Sequence, residues 1–324
     1  MRIYDCFIFS NEWDLLRLRL DELDPVVDEF VIVQATTTFQ GSAKEVVRLK
    51  NDSRFSQFSH KIRDIIVDDL PKESSPWFSE YLQRNAARRV ADEANSEDII
   101  LLSDVDEIPS RGAVEDAKTV RSGQVYGFEM RMFYYGLNWQ FPTKWWSVRA
   151  FRAESLKYLS PQELRTCPPD TIIPNGGWHF SYFYKQDELI ERIKAKALAF
   201  SHTEFTTPEY LRTSYLQFCI RGGLSWCTVP KSLIKFRYSD VDETYPEMVK
   251  DDAASWRSYR IAMEDRDRRS EALAWLLHSA VQAGRSLPPR LRSVVKTEVS
   301  RFTASASPSR ATLKQGVTSG HGRD

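Results

Sequence analysis

The sequence predicts an α/β fold built on a mixed, mostly parallel central sheet. Three observations point there. Short apolar runs alternate with helical periodicity through the first hundred residues. Ile99, Ile100, Leu101 and Leu102 form an uninterrupted aliphatic run, as expected of a central strand covered on both faces. A cluster of carboxylates follows that run directly, where open α/β sheets place their ligands.

The elements follow in order. Residues 3–9 read as a strand, and Asn11 is positioned to cap a helix whose apolar positions are Leu15, Leu16, Leu18, Leu20 and Leu23. Asp24-Pro25 ends that helix, and residues 30–35 and 61–68 read as two further strands. Tyr81, Leu82, Ala86 and Val90 give residues 77–94 a helical period, and residues 98–103 form the next strand. Residues 123–151 are strand-rich and aromatic, with Tyr134, Tyr135, Trp139, Trp145 and Trp146 mostly expected in the core. Helices are expected over residues 187–202, 208–221 and within 246–283. This organisation gives an α/β domain over residues 1–245 and a helical segment over 246–287. Residues 288–324, rich in Ser, Arg and Gly, are expected to be a mostly disordered tail.

Composition limits the function. The chain has 324 residues, 42% apolar and 12% aromatic, enough for a large core. Lys plus Arg and Asp plus Glu are equal at 45 each, so no global field attracts nucleic acid or an anionic membrane, and specificity must reside in a local site. No stretch reads as a signal peptide or membrane span. Cys6, Cys167, Cys219 and Cys227 lack metal-binding spacing and are expected to be free thiols in a cytoplasmic setting.

The local site centres on Asp104-Val105-Asp106. In an extended segment the two carboxylates point to one side, so both can reach one cation, and hard oxygen ligands suit Mg2+ or Mn2+. Such a cation can clamp a diphosphate and neutralise its charge as it leaves. The competing interpretation is a solvated strand end with no ligand.

Four ordered blocks resemble glycosyltransferase family 17: YDCFIFSNEWDLLRLRLDELDPVVDEFVIVQA, SDVDEIPS, MRMFYYGLNW and GGWHFSYFY, and the resemblance covers roughly residues 3–240. The resemblance implies a GT-A-like, Rossmann-like nucleotide-diphospho-sugar fold and an inverting transfer. It implies UDP-N-acetylglucosamine as donor, Mn2+ or Mg2+ held by Asp104 and Asp106, and a glycan or glycolipid acceptor. Glu107 is expected to point away from the two aspartates in a supporting role, and Gln34 stands where the family is expected to carry Glu.

The block at Gly176-Gly177-Trp178-His179 combines a flexible turn, an aromatic platform for a sugar ring and a third metal-ligand candidate, His179. His202 is a reserve ligand. Asp187 and Glu188, at the start of the following helix, are the candidates for the catalytic base that takes the acceptor proton. Arg84 is expected to meet either a diphosphate or an acidic ligand. Two rivals use the same residues: a metal-dependent phosphoesterase or nucleotidyltransferase, and a non-catalytic carbohydrate-binding module.

Overall fold

The structure is a computed structural model describing residues 1–71, 75–200, 211–226, 234–261 and 268–282, with isolated positions between 289 and 297. The elements are β1 (Ile3–Ile8), α1 (Trp13–Leu23), β2 (Glu29–Ala35), β3 (Ile62–Val67), α2 (Pro76–Asn85), β4 (Ile99–Asp104), β5 (Glu107–Pro109) and α3 (Arg111–Ala117). They continue with β6 (Val125–Tyr134), β7 (Trp139–Gln140), β8 (Arg149–Arg152), α4 (Pro161–Thr166), β9 (Thr171–Ser181) and α5 (Leu189–Phe200). Then come α6 (Thr213–Gly222), β10 (Arg237–Tyr238), α7 (Glu247–Asp251) and α8 (Arg268–Gln282). His202, Cys227 and nearly all of the 288–324 tail lie outside the described residues.

One sheet runs in the order β10-β7-β6-β8-β4-β1-β2-β3, with β9 beside β6 and β5 beside β9. The ladders β2–β3, β1–β2, β1–β4 and β6–β9 are parallel and contain most of the paired residues. The α/β fold with a mixed, mostly parallel sheet is therefore the one the sequence predicts. β4 lies between β1 and β8, and its side chains divide by period two. Ile99 and Leu101 enter the core on one face, Ile100 and Leu102 the core on the other. Each is at most 1% exposed, and burying such a side chain contributes about 1.5–3 kcal/mol. This fixes the strand's register, and with it the position of the carboxylates at its end.

Several local expectations are corrected. Glu12, not Asn11, precedes α1, and it makes no side-chain cap to the helix. Its carboxylate instead accepts the N–H groups of Ser10 and Asn11 at 3.2 and 3.0 Å, ordering the β1–α1 loop. The single helix expected over residues 77–94 starts at Pro76, capped by Ser75, and tightens into a 3-10 segment at Ala86–Asp92. At that junction the Asn85 side chain accepts the Gln162 N–H at 3.0 Å, tying α2 to α4. Tyr135 and Trp139 are fully buried, in keeping with the core expectation, whereas Trp146 is exposed. Among the described residues no helix is long and apolar enough to cross a membrane.

Candidate active site

The carboxyl ends of β1 and β4 open on a cavity of about 230 Å³ lined by Ile8, Ser10, Glu12, Phe39, Glu80, Gln83, Asp104, Asp106 and Lys196. This is the end of the strands at which open α/β sheets place their ligands.

The acidic turn is held from below by Arg19. This fully buried guanidinium pairs with fully buried Asp5 through Nε–Oδ2 at 2.8 Å and Nη2–Oδ1 at 2.6 Å. Its Nη1 donates to the carbonyls of Asp104 at 2.9 Å and Glu107 at 2.7 Å, and Nη2 donates to Ser103 Oγ at 2.5 Å. Five donors in a rigid plane suit this task, which a lysine would not satisfy. Arg19 lies on the apolar stripe of α1, four residues from both Leu15 and Leu23. That placement is the sequence signal that a buried partner awaited it.

Asp104 does not stand free. Its Oδ1 accepts from Arg84 Nη2 at 3.0 Å and its Oδ2 from Arg165 Nη2 at 2.8 Å. Burial works against the charged carboxylate, but Arg165 and Arg84 outweigh it and hold the pKa well below the ordinary value. Arg84 thus pairs with the acidic ligand, while also bonding Glu80 at 2.6 Å and Gln162 at 2.5 Å.

Glu107 departs from the expected alternation. Residues 105 and 106 form a turn rather than extended strand, and this brings the Glu107 side chain back beside Asp104. Its buried carboxylate takes both Arg165 nitrogens, the Asp104 N–H at 2.8 Å and the Trp145 indole N–H at 2.5 Å. With every lone-pair direction engaged, Glu107 is a framework residue.

The turn is also joined to the glycine-tryptophan block. β5 pairs antiparallel with β9, placing Glu107 opposite His179 and Ile108 opposite Trp178, and the Phe180 N–H donates to the Asp106 carbonyl at 2.8 Å. The two glycines are not a flexible turn beneath a ligand but part of β9 itself. Gly177 has φ +129°, and a Cβ there would lie 2.1 Å from the Ile108 carbonyl oxygen. A Cβ on Gly176 would meet the Phe128 Cβ at 2.7 Å. The glycines allow strands, not a sugar, to approach.

Alternation along β9 then separates Trp178 from His179. Trp178 is buried in the main core and donates its indole N–H to the Thr244 carbonyl at 2.9 Å, so it is not brought to the cavity as a stacking platform. His179 Nε2 lies 3.6 Å from Asp106 Oδ2, and its ring packs on Trp145 with centroids 4.6 Å apart. Burial disfavours the imidazolium, but Asp106, with help from Glu107 and Asp104, raises its pKa above the ordinary value. The Asp106 pKa is correspondingly lowered: burial opposes the charge, and His179 and Lys196 prevail.

Asp104, Asp106 and His179 therefore do not form a ready cage of three ligands. Among the described residues no group of three or more His, Cys, Asp and Glu side chains is arranged to hold a metal. His179 stands behind Asp106 rather than in the cavity lining.

Asp187 and Glu188 are exposed residues ahead of α5 and do not line the cavity. Burial raises the pKa of the Tyr259 hydroxyl, and Asp14, with smaller contributions from Glu188 and Asp187, adds to that shift. α5 contributes Lys196, whose Nζ is 3.9 Å from both Asp106 Oδ2 and Glu12 Oε1. Gln34 is buried beside the site without lining it, and its amide clamps the Val47 backbone through Nε2–O at 2.7 Å. Arg165, Lys196 and Glu12 are functional candidates that motif reading passed over.

Comparison with known proteins supplies the context. The curated relatives include the β-1,4-mannosyl-glycoprotein 4-β-N-acetylglucosaminyltransferases of rat, human and mouse, each 26% identical over 151 residues. That match covers 44% of this chain and only 28% of each relative. Among solved structures, a mannosyltransferase from Pyrobaculum calidifontis in complex with GDP-Man and Mn2+ aligns over 93% of this chain and 80% of its own. It does so at 13% identity and a TM-score of 0.36. The family model for glycosyltransferase family 17 matches residues 1–242, which include the acidic turn, the β5–β9 pairing and α5; the chain belongs to that family.

Proposed function

We propose that this glycosyltransferase moves N-acetylglucosamine from a UDP-sugar to a hydroxyl of a glycan or glycolipid, inverting the anomeric carbon with the help of Mn2+ or Mg2+. The observation that carries the proposal is the pair of ionised carboxylates, Asp104 and Asp106, lining one cavity at the carboxyl ends of β1 and β4. The choice of donor sugar rests on the names of the relatives.

The donor set fits a hard divalent cation. Mg2+ and Mn2+ sites of this kind use one or two carboxylates and complete their shell with substrate phosphates, so a pair of aspartates suffices without a three-residue cage. Asp104 gives one hydrogen bond site on each oxygen to an arginine and keeps lone pairs for a metal. When bound, the cation would neutralise the charge that gathers on the departing diphosphate. His179 orients Asp106 from behind, and Lys196 adds positive charge at the same cavity.

For the acceptor proton, two carboxylates besides the aspartates line the cavity, Glu12 and Glu80, and Glu80 is engaged by Arg84 at 2.6 Å, while Asp187 and Glu188 are not among the lining residues. Geometry comes before pKa in assigning a base, and it favours Glu12. In the transfer, the acceptor oxygen bonds to the anomeric carbon and the bond from that carbon to the diphosphate oxygen breaks. The bonding pair leaves with UDP, and the hydroxyl proton passes to Glu12.

Incubation with a panel of UDP-sugars and Mn2+, with and without saccharide acceptors, tests the reading. Acceptor-dependent UDP release with a new glycosidic product is expected. Cleavage of the nucleotide itself would instead favour the phosphoesterase or nucleotidyltransferase reading.

A further inference from the structure

A second cavity, of about 370 Å³, adjoins the first across Ser10 and Lys196. Its walls differ in character from those of its neighbour. Where the first presents Asp104, Asp106, Glu12 and Glu80, the second presents Lys44, Arg192 and Lys196 beside the rings of Trp13 and Tyr184. Glu45 also lines it, exposed at the rim.

Among the described residues, neither Lys44 nor Arg192 has a carboxylate within 4.0 Å. Lys44 donates to the neutral Ser10 Oγ at 3.2 Å, and burial lowers its pKa, with Glu12 the carboxylate that acts against the shift. Arg192 donates Nη2 to the Asn11 carbonyl at 3.2 Å and lies over the Tyr184 ring, 4.8 Å from its centroid. Its Nε is buried without a hydrogen-bond partner. Lys44 and Arg192 are each half-buried at this cavity, and a bound anion would balance the two positive charges and offer the buried Arg192 Nε an acceptor.

We propose that this second cavity is the acceptor subsite and that it takes a saccharide carrying a phosphate or carboxylate group. The inference rests on the donor occupying the first cavity. The diphosphate is then served by Asp104 and Asp106 through their cation, which leaves Lys44 and Arg192 for an anion on the acceptor. Trp13 and Tyr184 line the same wall beside the two cations. The shared wall at Ser10 and Lys196 lets an acceptor hydroxyl approach the donor's anomeric carbon, with Glu12 within the same loop as Ser10.

The test uses the intact chain. UDP binding with Mn2+ is titrated first, and glucose, glucose 6-phosphate and glucuronate are then titrated with and without UDP present. Both charged sugars, or one of them, should bind at least tenfold tighter than glucose, and which one does so distinguishes phosphate from carboxylate. Lys44→Gln and Arg192→Gln, singly and together, should erase that preference while UDP affinity and the melting temperature stay within twofold and a few degrees of the parent. Equal binding of charged and neutral sugars, or a preference that survives the double variant, would overturn the proposal. So would a tenfold loss of UDP affinity in Lys44→Gln, which would assign these cations to the donor diphosphate. Failure of the parent to bind UDP would count against the donor reading alone, because the preference for a charged sugar is read separately without UDP.

Discussion

Arg165 and Glu107 meet in a two-pronged ion pair, Nη1 to Oε2 at 2.8 Å and Nη2 to Oε1 at 2.9 Å. The same guanidinium reaches Asp104, so one residue of α4 joins the framework carboxylate to the functional one. The pair is almost wholly buried, with side-chain exposures of 9% and 1%. Removing one partner of such a pair leaves the other charged and unpaired, which costs about 3–5 kcal/mol. Arg165→Gln is therefore expected to lose stability in that range in urea unfolding. A loss below about 1 kcal/mol would show that Glu107 is satisfied by its other donors.

The approach of β9 to β5 makes a second prediction. Gly177→Ala must push its Cβ away from the Ile108 carbonyl while holding φ +129°. Strain at such a position costs about 1–3 kcal/mol. The Asp106 carbonyl is bonded to Phe180 on the same strand, so the variant should lose UDP affinity as well as stability. Melting temperature and UDP titration read the two effects, and an unperturbed variant would mean that β9 does not position the acidic turn.

Glu22 gives a pH dependence away from the site. Burial raises its pKa, Arg111 and the Glu247 N–H oppose that, and the net direction is upward. A carboxyl with a folded pKa above its unfolded value near ~4.3 binds its proton more tightly when folded. Its contribution therefore favours folding as pH falls through the folded pKa and levels off below the unfolded value. Glu22→Gln should flatten the part of the stability profile just above that unfolded value, as measured by urea midpoints from pH 7 to pH 4. An unchanged profile would remove Glu22 as its source.

The assignment of the base is tested by three amides. Glu12→Gln should lower kcat by about 10²–10⁴, the effect of losing a general base, whereas Asp187→Asn and Glu188→Gln should stay within a few-fold of the parent. The reverse pattern at saturating acceptor would return the role to the start of α5.

The parts of the fold set by periodicity were legible in the sequence. The strands at the amino-terminal end, the central position of β4 and the acidic turn at its end all follow from local apolar patterning. The partners of that turn were not legible, because they depend on long-range contacts. Arg165 lies 61 residues from Asp104, and Lys196 sits on a helix whose lysines look like a solvated face. Glu107 was assigned by strand alternation, which fails where the chain turns at residues 105 and 106. Trp178 and His179 are adjacent in a motif that suggests one shared task, yet a strand sends neighbours to opposite faces. Arg19 was the missed residue with a readable signal, a guanidinium on the apolar stripe of α1.

The central claim is that Asp104 and Asp106 hold the cation that receives a UDP-sugar, and the most direct measurement is UDP titration with and without Mn2+. The parent should bind UDP at least tenfold tighter with Mn2+ than without it. Asp106→Asn should remove that enhancement while remaining folded. Asp104→Asn should remove it too and also lose stability, because it leaves Arg84 and Arg165 without their shared carboxylate. Mn2+-enhanced binding that survives in both variants would contradict the account.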